Sequence, residues 1–302
     1  MSNLFYSEIE QTAIDRIQRF AKIAAAYNFE IAVGFSGGKD SQVVYDLCKR
    51  AGIPFKAYYN VAFESPTTKR FIRDNYPDVI WRRDYKVGFI ENIGKMHGGL
   101  LPTIEFAYCC ADYKHNPKYV DQCSIVGIRK QESAKRASRT ALSFKNKTLK
   151  KQMRDNVSEY FVENCQSVGT ASVIQLLPIV DWTTSDVWDY IGRHNLPING
   201  EYVQHTRVGC IVCPKTNLSH NYKALIRYPK LIDAFIRAKE KSPVCDWIIT
   251  SDNKDYSDDK VYYICRWLNH SFRPFSKRQE REYQLVKEAY LNKKSNSINR
   301  IT

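Results

Sequence analysis

Apolar and polar positions alternate between strand-like and helix-like spacing through the first two thirds of the chain, and keep helical spacing in the rest. Ile14, Ile17, Phe20, Ile23 and Ala24 recur every three or four residues and predict an amphipathic helix over residues 7–27. A short apolar run over 30–35 reads as a buried strand and 42–50 as a helix. Gly52 and Pro54 then turn the chain into a second strand over 55–63. Ser65-Pro66 opens a helix through residue 73, with proline at its first position. Residues 79–81 form a third strand, and the glycine-rich stretch 87–101 reads as mixed loop and helix. Another buried strand covers 123–128, and 172–180 returns to the sheet. Thr183 to Asp186 carries the polar start of a helix over 183–193. This β-α-β-α-β series predicts the α/β class: a doubly wound, mainly parallel sheet whose ligand sits at the carboxyl ends of the strands. The last third reads as a helical, basic C-terminal extension with an acidic turn over 252–259. No internal repeat or low-complexity tract interrupts the pattern.

The first strand runs directly into Ser36-Gly37-Gly38-Lys39-Asp40-Ser41. Two glycines free to take positive φ let backbone N–H groups approach an anion, and the following helix turns its positive end toward it. Lys39 adds a fixed charge, Ser36 and Ser41 add hydroxyls, and Asp40 is a candidate N-cap, loop-orienting group or Mg²⁺ ligand. The spacing is not that of the Walker loop. It resembles the PP-loop of ATP pyrophosphatases and sulfonucleotide reductases at all six positions. That resemblance implies an adenine nucleotide α-hydrolase-like fold that binds ATP or a sulfonucleotide by its phosphates, with Ser36, Gly37, Gly38, Lys39 and Ser41 as the contacts.

Composition narrows the class. The chain has 302 residues, 43% hydrophobic and 26% charged, as in a globular protein able to bury a full α/β core. No apolar run approaches the roughly 20 residues of a membrane helix, and the first residues do not resemble a signal peptide. A cytoplasmic enzyme is expected. The net charge of +14 points to a polyanionic partner, nucleic acid first, or to a basic enzyme with anionic substrates. Ten of the residues from 129 to 154 are Lys or Arg against the single acid Glu132. That segment reads either as a mobile anion-binding lid or as a solvated basic arm. Within it, Lys145, Lys147, Lys150 and Lys151 are candidates for steering nucleic acid.

Nine cysteines in a reducing compartment are thiols or metal ligands. Cys109-Cys110 and the Cys-x-x-Cys of Cys210 and Cys213 together supply four thiolates, enough for a tetrahedral zinc or a [4Fe–4S] cluster. Cys48, Cys123, Cys165, Cys245 and Cys265 read as small core residues. A cysteine pair and a later Cys-x-x-Cys beside a PP-loop resemble the cluster-bearing branch of the phosphoadenosine phosphosulfate (PAPS) reductase family. DNA phosphorothioation sulfurtransferases share the set.

The resemblance extends over about residues 28–216. Ile125-Val126-Gly127-Ile128-Arg129, with Arg136, is similar to the family's anion-gripping segment, and implies that Arg129 and Arg136 bind phosphate or sulfate. Pro178-Ile179-Val180-Asp181-Trp182-Thr183, Asp186-Val187-Trp188 and Asn195-Leu196-Pro197 follow in the family's order. Trp182 and Trp188 read as core. The implied organisation is an N-terminal helix over 1–27, a nucleotide-binding domain with the cysteine site over 28–216, and a helical basic region over 217–302.

Two departures shape the functional expectation. The reductases' attacking cysteine on a mobile tail has no counterpart here, because Cys265 lies in an apolar-aromatic run that reads as buried. Cys245 is the other relocated candidate. The family's Asp-Thr-Gly after strand two is Asn60-Val61-Ala62, with Glu64 as a nearby acid. The expectation is therefore an ATP pyrophosphatase and sulfurtransferase that uses ATP, Mg²⁺ and a [4Fe–4S] cluster. It adenylates DNA or tRNA for sulfur insertion, with a cysteine desulfurase as sulfur donor and with Lys39, Asp40 and Arg129 as catalytic groups. The alternative is an assimilatory sulfonucleotide reductase releasing sulfite.

Overall fold

A computed structural model describes residues 2–83, 87–115, 121–161, 163, 165–167, 172–240, 259–269 and 275–298, with side chains from residue 8 to residue 293. Cys245 and the acidic residues 252–258 lie outside them. The chain divides into two compact units, residues 1–83 with 115–209 and residues 84–114 with 210–302. These boundaries differ from the sequential ones expected from the sequence. The stretch 84–114 belongs with the C-terminal residues.

The first unit is built on seven strands: β1 (Ile31–Gly34), β2 (Lys56–Asn60), β3 (Ile80–Arg82), β4 (Cys123–Ile125), β5 (Leu142–Phe144), β6 (Cys165–Ser167) and β7 (Ile174–Leu176). Their order is β3-β2-β1-β4-β7-β5-β6. Five strands run parallel, while β5 pairs antiparallel to β7 and carries β6 with it. The mainly parallel sheet is as expected. Its central strands β1 and β4 are buried almost throughout, because parallel strands are covered on both faces.

Helices α1 (Ser2–Ala26), α2 (Lys39–Arg50), α3 (Pro66–Asn75), α5 (Lys147–Tyr160) and α6 (Thr184–Arg193) complete this unit, and α4 (Phe89–Met96) belongs to the other. Ile17, Phe20 and Ile23 of α1 are fully buried in the core with Val43, Val44 and Leu47 of α2. Each such side chain contributes about 1.5–3 kcal/mol through burial. The helix starts follow the sequence signals. Ser65 caps α3 by accepting from the Thr68 N–H, Pro66 sits first in the helix, and Thr183 and Asp186 form a reciprocal capping box on α6. Trp182 is buried in the core as expected, whereas Trp188 is half-buried against Tyr202, ring centroids 5.0 Å apart.

The chain leaves β1 for β2 and β3 on one side and returns to β4 on the other, so a switch point opens at the carboxyl ends of β1 and β4. The 36–41 loop emerges there.

Residues 129–154 are neither lid nor arm. They form two short helical turns (Lys130–Glu132 and Ala134–Arg136), β5, and the start of α5. Leu142 and Phe144 are buried strand residues whose apolar side chains outweigh the surrounding charge. Register places the lysines: Phe144 pairs with Ile174, Ile174 with Cys123, and Cys123 with Ile31, the first residue of β1. Lys145 to Lys151 therefore begin at the amino-end edge of the parallel strands, opposite the 36–41 loop.

Glu10 of α1 is 5% exposed and receives hydrogen bonds from Arg50 and pairs with Arg193 and His194 of α6. Burial alone would raise its pKa, but these partners together hold it below the ordinary value. A depressed folded pKa contributes stability above the unfolded value and loses it as pH falls through the folded one. Thermal unfolding below about pH 4.5 is expected to show a falling Tm that Glu10→Gln flattens. An unchanged pH slope would remove Glu10 as a contributor.

The second unit is helical among its described residues: α4 (Phe89–Met96), α7 (Leu218–Arg227), α8 (Lys230–Lys239), α9 (Lys260–Asn269) and α10 (Lys277–Ile298). Phe235 and Trp267 pack at 5.1 Å in its core, and the Trp267 indole N–H donates to the Pro102 carbonyl at 2.8 Å. None of the described helices is long and apolar enough to cross a membrane.

Candidate functional site: a braced anion loop and a cysteine cluster

Gly37 takes φ +72°, and a Cβ there would meet the Ile72 side chain at 2.9 Å. Gly38 is the extended N-cap of α2 and has no side chain to occupy the helix end. The Ser41 hydroxyl accepts from the Ser36 N–H (3.1 Å) and donates to the Gly38 carbonyl (2.8 Å), closing the turn on itself. The result is a short loop with a helix N-terminus behind it, a site suited to phosphate or sulfate. Asp40 is not the N-cap: it lies one residue inside the helix, where its carboxylate can reach sideways.

Asp40 bridges two cations. Its Oδ2 lies 2.6 Å from Lys39 Nζ, and its Oδ1 accepts from Arg129 Nε at 2.6 Å. Arg129 is 2% exposed; its remaining guanidinium N–H groups donate to the Trp182 carbonyl (3.2 Å) and the Thr184 hydroxyl (3.3 Å). The sequence expectation gave Arg129 a direct grip on phosphate. In this geometry it is a buried strut that orients Asp40, which in turn holds Lys39 at the loop. With both carboxylate oxygens taken by cations, Asp40 is not placed as a free Mg²⁺ ligand. Arg136 pairs with Glu132 on the surface, four residues away.

Three residues escaped sequence reasoning. The Lys39 N–H donates to the Tyr202 hydroxyl at 2.8 Å, Asn199 Nδ2 donates to the Gly37 carbonyl at 3.0 Å, and Ser65 donates to Glu201 at 2.8 Å. Burial pushes the Tyr202 phenol up to about 12, so it stays protonated at neutral pH. Gly127, just after β4, is a second close approach: a Cβ there would lie 2.8 Å from the Asp40 carbonyl carbon and oxygen. No local motif announces these contacts, since the partners are some 90 to 160 residues apart. Glu64 braces the strand-two loop by accepting from the Tyr59 hydroxyl (2.8 Å) and the Ala62 N–H (2.9 Å).

The four cysteines of the expected metal site all belong to the second unit. The Cys109 thiol is pushed far above its ordinary value by a hydrogen bond with Cys110, by burial, and by the nearby Cys210 and Cys213. Cys110, Cys210 and Cys213 thus all act electrostatically on Cys109. Their seats are built differently. Asn221, fully buried, accepts from the Cys213 N–H and donates to the Cys213 carbonyl, both at 2.9 Å, fixing the turn before α7. Tyr108 stacks on His97 at 3.5 Å, and His97 pairs with Asp112 in the turn that follows Cys110. Among the described residues no group of three or more His, Cys, Asp or Glu is placed to hold a metal ion. The donor set itself suits a soft metal or cluster. Of the other cysteines, Cys48, Cys123 and Cys265 are buried as expected, while Cys165 is only half-buried.

Residues 108–216 match the phosphoadenosine phosphosulfate reductase domain model. Over that stretch the chain is similar to the PAPS reductase domain. The PAPS reductase domain match takes in both cysteine pairs and Arg129, but begins after the PP-loop. An uncharacterised protein of Methanocaldococcus jannaschii is 29% identical over 219 residues, 67% of this chain and 39% of that one. A second from the same organism is 24% identical, over 76% of this chain and 52% of its own length. The chain thus spans about half or less of those two relatives. Sulfate adenylyltransferase subunit 2 of Shewanella amazonensis is 25% identical over 66% of this chain and 68% of its own. A crystal structure of PAPS reductase from Candida auris, a phosphate complex, aligns over 70% of this chain at 14% identity, with a TM-score of 0.42.

Proposed function

We propose that this PP-loop protein cleaves ATP between its α- and β-phosphates and adenylates an oxygen of a nucleic-acid substrate, most simply a DNA phosphate, for replacement by sulfur. The observation that carries the nucleotide reading is the loop itself: a positive-φ Gly37, an uncapped helix start at Gly38, and Lys39 held in place by Asp40. Sulfate adenylyltransferase subunit 2 among the relatives supports adenylyl transfer as the reaction type.

The loop amides and the Ser36 and Ser41 hydroxyls bind the pyrophosphate portion, and Lys39 stabilises the charge that grows on it as it leaves. The acceptor oxygen forms a bond to the α-phosphorus while the bond to the bridging oxygen breaks, and pyrophosphate departs with that electron pair. The terminal sulfur of a persulfide donor, such as a desulfurase supplies, then bonds to the substrate phosphorus as AMP leaves with the electron pair of the P–O bond, and a second donor thiol cleaves the S–S bond, leaving the sulfur on the substrate and a disulfide on the donor. Mg²⁺ would enter with the nucleotide and neutralise charge on its phosphates, since both Asp40 carboxylate oxygens are engaged by Lys39 and Arg129. Cys109, Cys110, Cys210 and Cys213 would hold an iron–sulfur cluster, which supplies redox and sulfur-handling capacity when bound.

With ATP, Mg²⁺ and nucleic acid the expected products are AMP and pyrophosphate. Lys39→Ala removes a charge-assisted contact worth roughly 1.5–3 kcal/mol, a ten- to hundredfold loss of nucleotide affinity. The domain match over 108–216 favours one other reading, reduction of a sulfonucleotide to sulfite. Against it, the thiol of Cys265, the described cysteine nearest the C-terminus, is fully buried and raised by burial, a poor nucleophile. Sulfite released from adenosine 5′-phosphosulfate with a thiol reductant, while ATP stays intact, would establish the reductase instead.

A further inference from the structure

A groove of about 650 Å³ lies in the first unit along α5, walled by Lys147, Lys150, Lys151 and Arg154. The spacing i, i+3, i+4, i+7 puts all four cations on one face of the helix over about 10 Å of its axis. Lys147, Lys151 and Arg154 are exposed and have no ion-pair partner among the described residues. Lys150 is turned inward, donating to the Cys165 carbonyl. The acid on the rim, Glu163, is engaged by Arg16 at 2.8 Å. Phe144, Val157 and Phe161 give the groove an apolar floor. A row of unpaired cations above an apolar floor fits a chain of phosphates carrying sugars and bases better than it fits an isolated anion.

Its position separates it from the reacting site. Phe144 is in register with the first residue of β1, three strands away, whereas the PP-loop leaves the far end of β1. Strand spacing and rise set the two apart by on the order of 20 Å. A mononucleotide cannot occupy both places, but a strand of about six or more nucleotides is long enough to do so.

We propose that the α5 groove is a docking site for the phosphodiester backbone of a nucleic-acid strand, distinct from the PP-loop. This rests on the nucleic-acid reading above and adds where the substrate is held and that it must be polymeric. The groove binds backbone without reading bases, so its affinity falls steeply with salt as neutralised phosphates release counterions.

The test uses the full chain and a labelled 20-nucleotide single strand, titrated by fluorescence anisotropy across a range of KCl concentrations. The combined variant Lys147→Gln, Lys151→Gln and Arg154→Gln is expected to weaken binding at least ~10-fold at low salt and to flatten the log–log salt slope by about two units. ATP binding, measured separately, is expected to be retained, which also shows that the variant folds. Wild-type binding and slope in the variant would overturn the proposal. So would tripolyphosphate competing as effectively as the strand, which would make this a small-anion site. Equal, groove-dependent binding of a poly-glutamate peptide would assign it to an acidic protein. If the strand binds through the groove but ATP is never cleaved, the docking site stands and the adenylation reading falls. If ATP is cleaved and the variant binds the strand normally, the reverse holds.

Discussion

Asp40→Ala is expected to destabilise the first unit by roughly 3–5 kcal/mol, more than any other single change in the PP-loop. The substitution deletes one carboxylate but strands two cations. Arg129 is 2% exposed and has no route to water, and its neutral partners at Trp182 and Thr184 cannot replace an anion 2.6 Å away. Lys39→Ala, by contrast, leaves the Asp40–Arg129 pair intact. It should cost far less stability while weakening nucleotide binding ten- to hundredfold. Replacing both members of the Asp40–Arg129 pair, Asp40→Leu with Arg129→Met, should recover part of the stability lost in Asp40→Ala, because only Lys39 is then left without its anion. Chemical denaturation of the three variants measures this ordering. A change below about 1 kcal/mol for Asp40→Ala would show that the pair does not brace the loop.

Cys210→Ser or Cys213→Ser is expected to abolish metal loading altogether. The wild-type chain, purified without oxygen, should carry about four irons with a broad visible absorbance, and each serine variant should be colourless. The reason is electrostatic. The sulfur neighbourhood that pushes Cys109 upward cannot hold several thiolates unless a cation joins them. Cys48→Ser, at a buried thiol of the other unit, should leave iron content unchanged. One zinc per chain in place of iron would make the four thiolates a structural site and detach sulfur chemistry from them.

The PP-loop was fully legible in the chain because its requirements are local: glycines where φ must be positive, a strand before and a helix after. Caps were legible for the same reason, as Ser65 and Thr183 act within three residues of themselves. The mainly parallel sheet followed from buried apolar runs alternating with helices. The role of Arg129 was not legible. Its position after β4 was clear, but whether its guanidinium faces ligand or interior depends on Asp40, Trp182 and Thr184, which only folding brings to it.

The basic segment shows the same division. Its charge was plain from ten Lys and Arg between 129 and 154, and suggested either a mobile anion-binding lid or a solvated basic arm. The buried triplet of β5 was too short to outweigh that charge as a sequence signal. Pairing antiparallel to β7 then carried α5 to the opposite edge of the sheet. The sequence by itself determined the fold class, the anion loop and two short cysteine motifs, because each rests on residue type and short-range spacing. Tertiary structure alone decided which cation faces solvent and which is buried, that Tyr202 and Asn199 brace the loop, and on which edge the lysines stand. Those are matters of strand order and burial, and residues distant in sequence settle them.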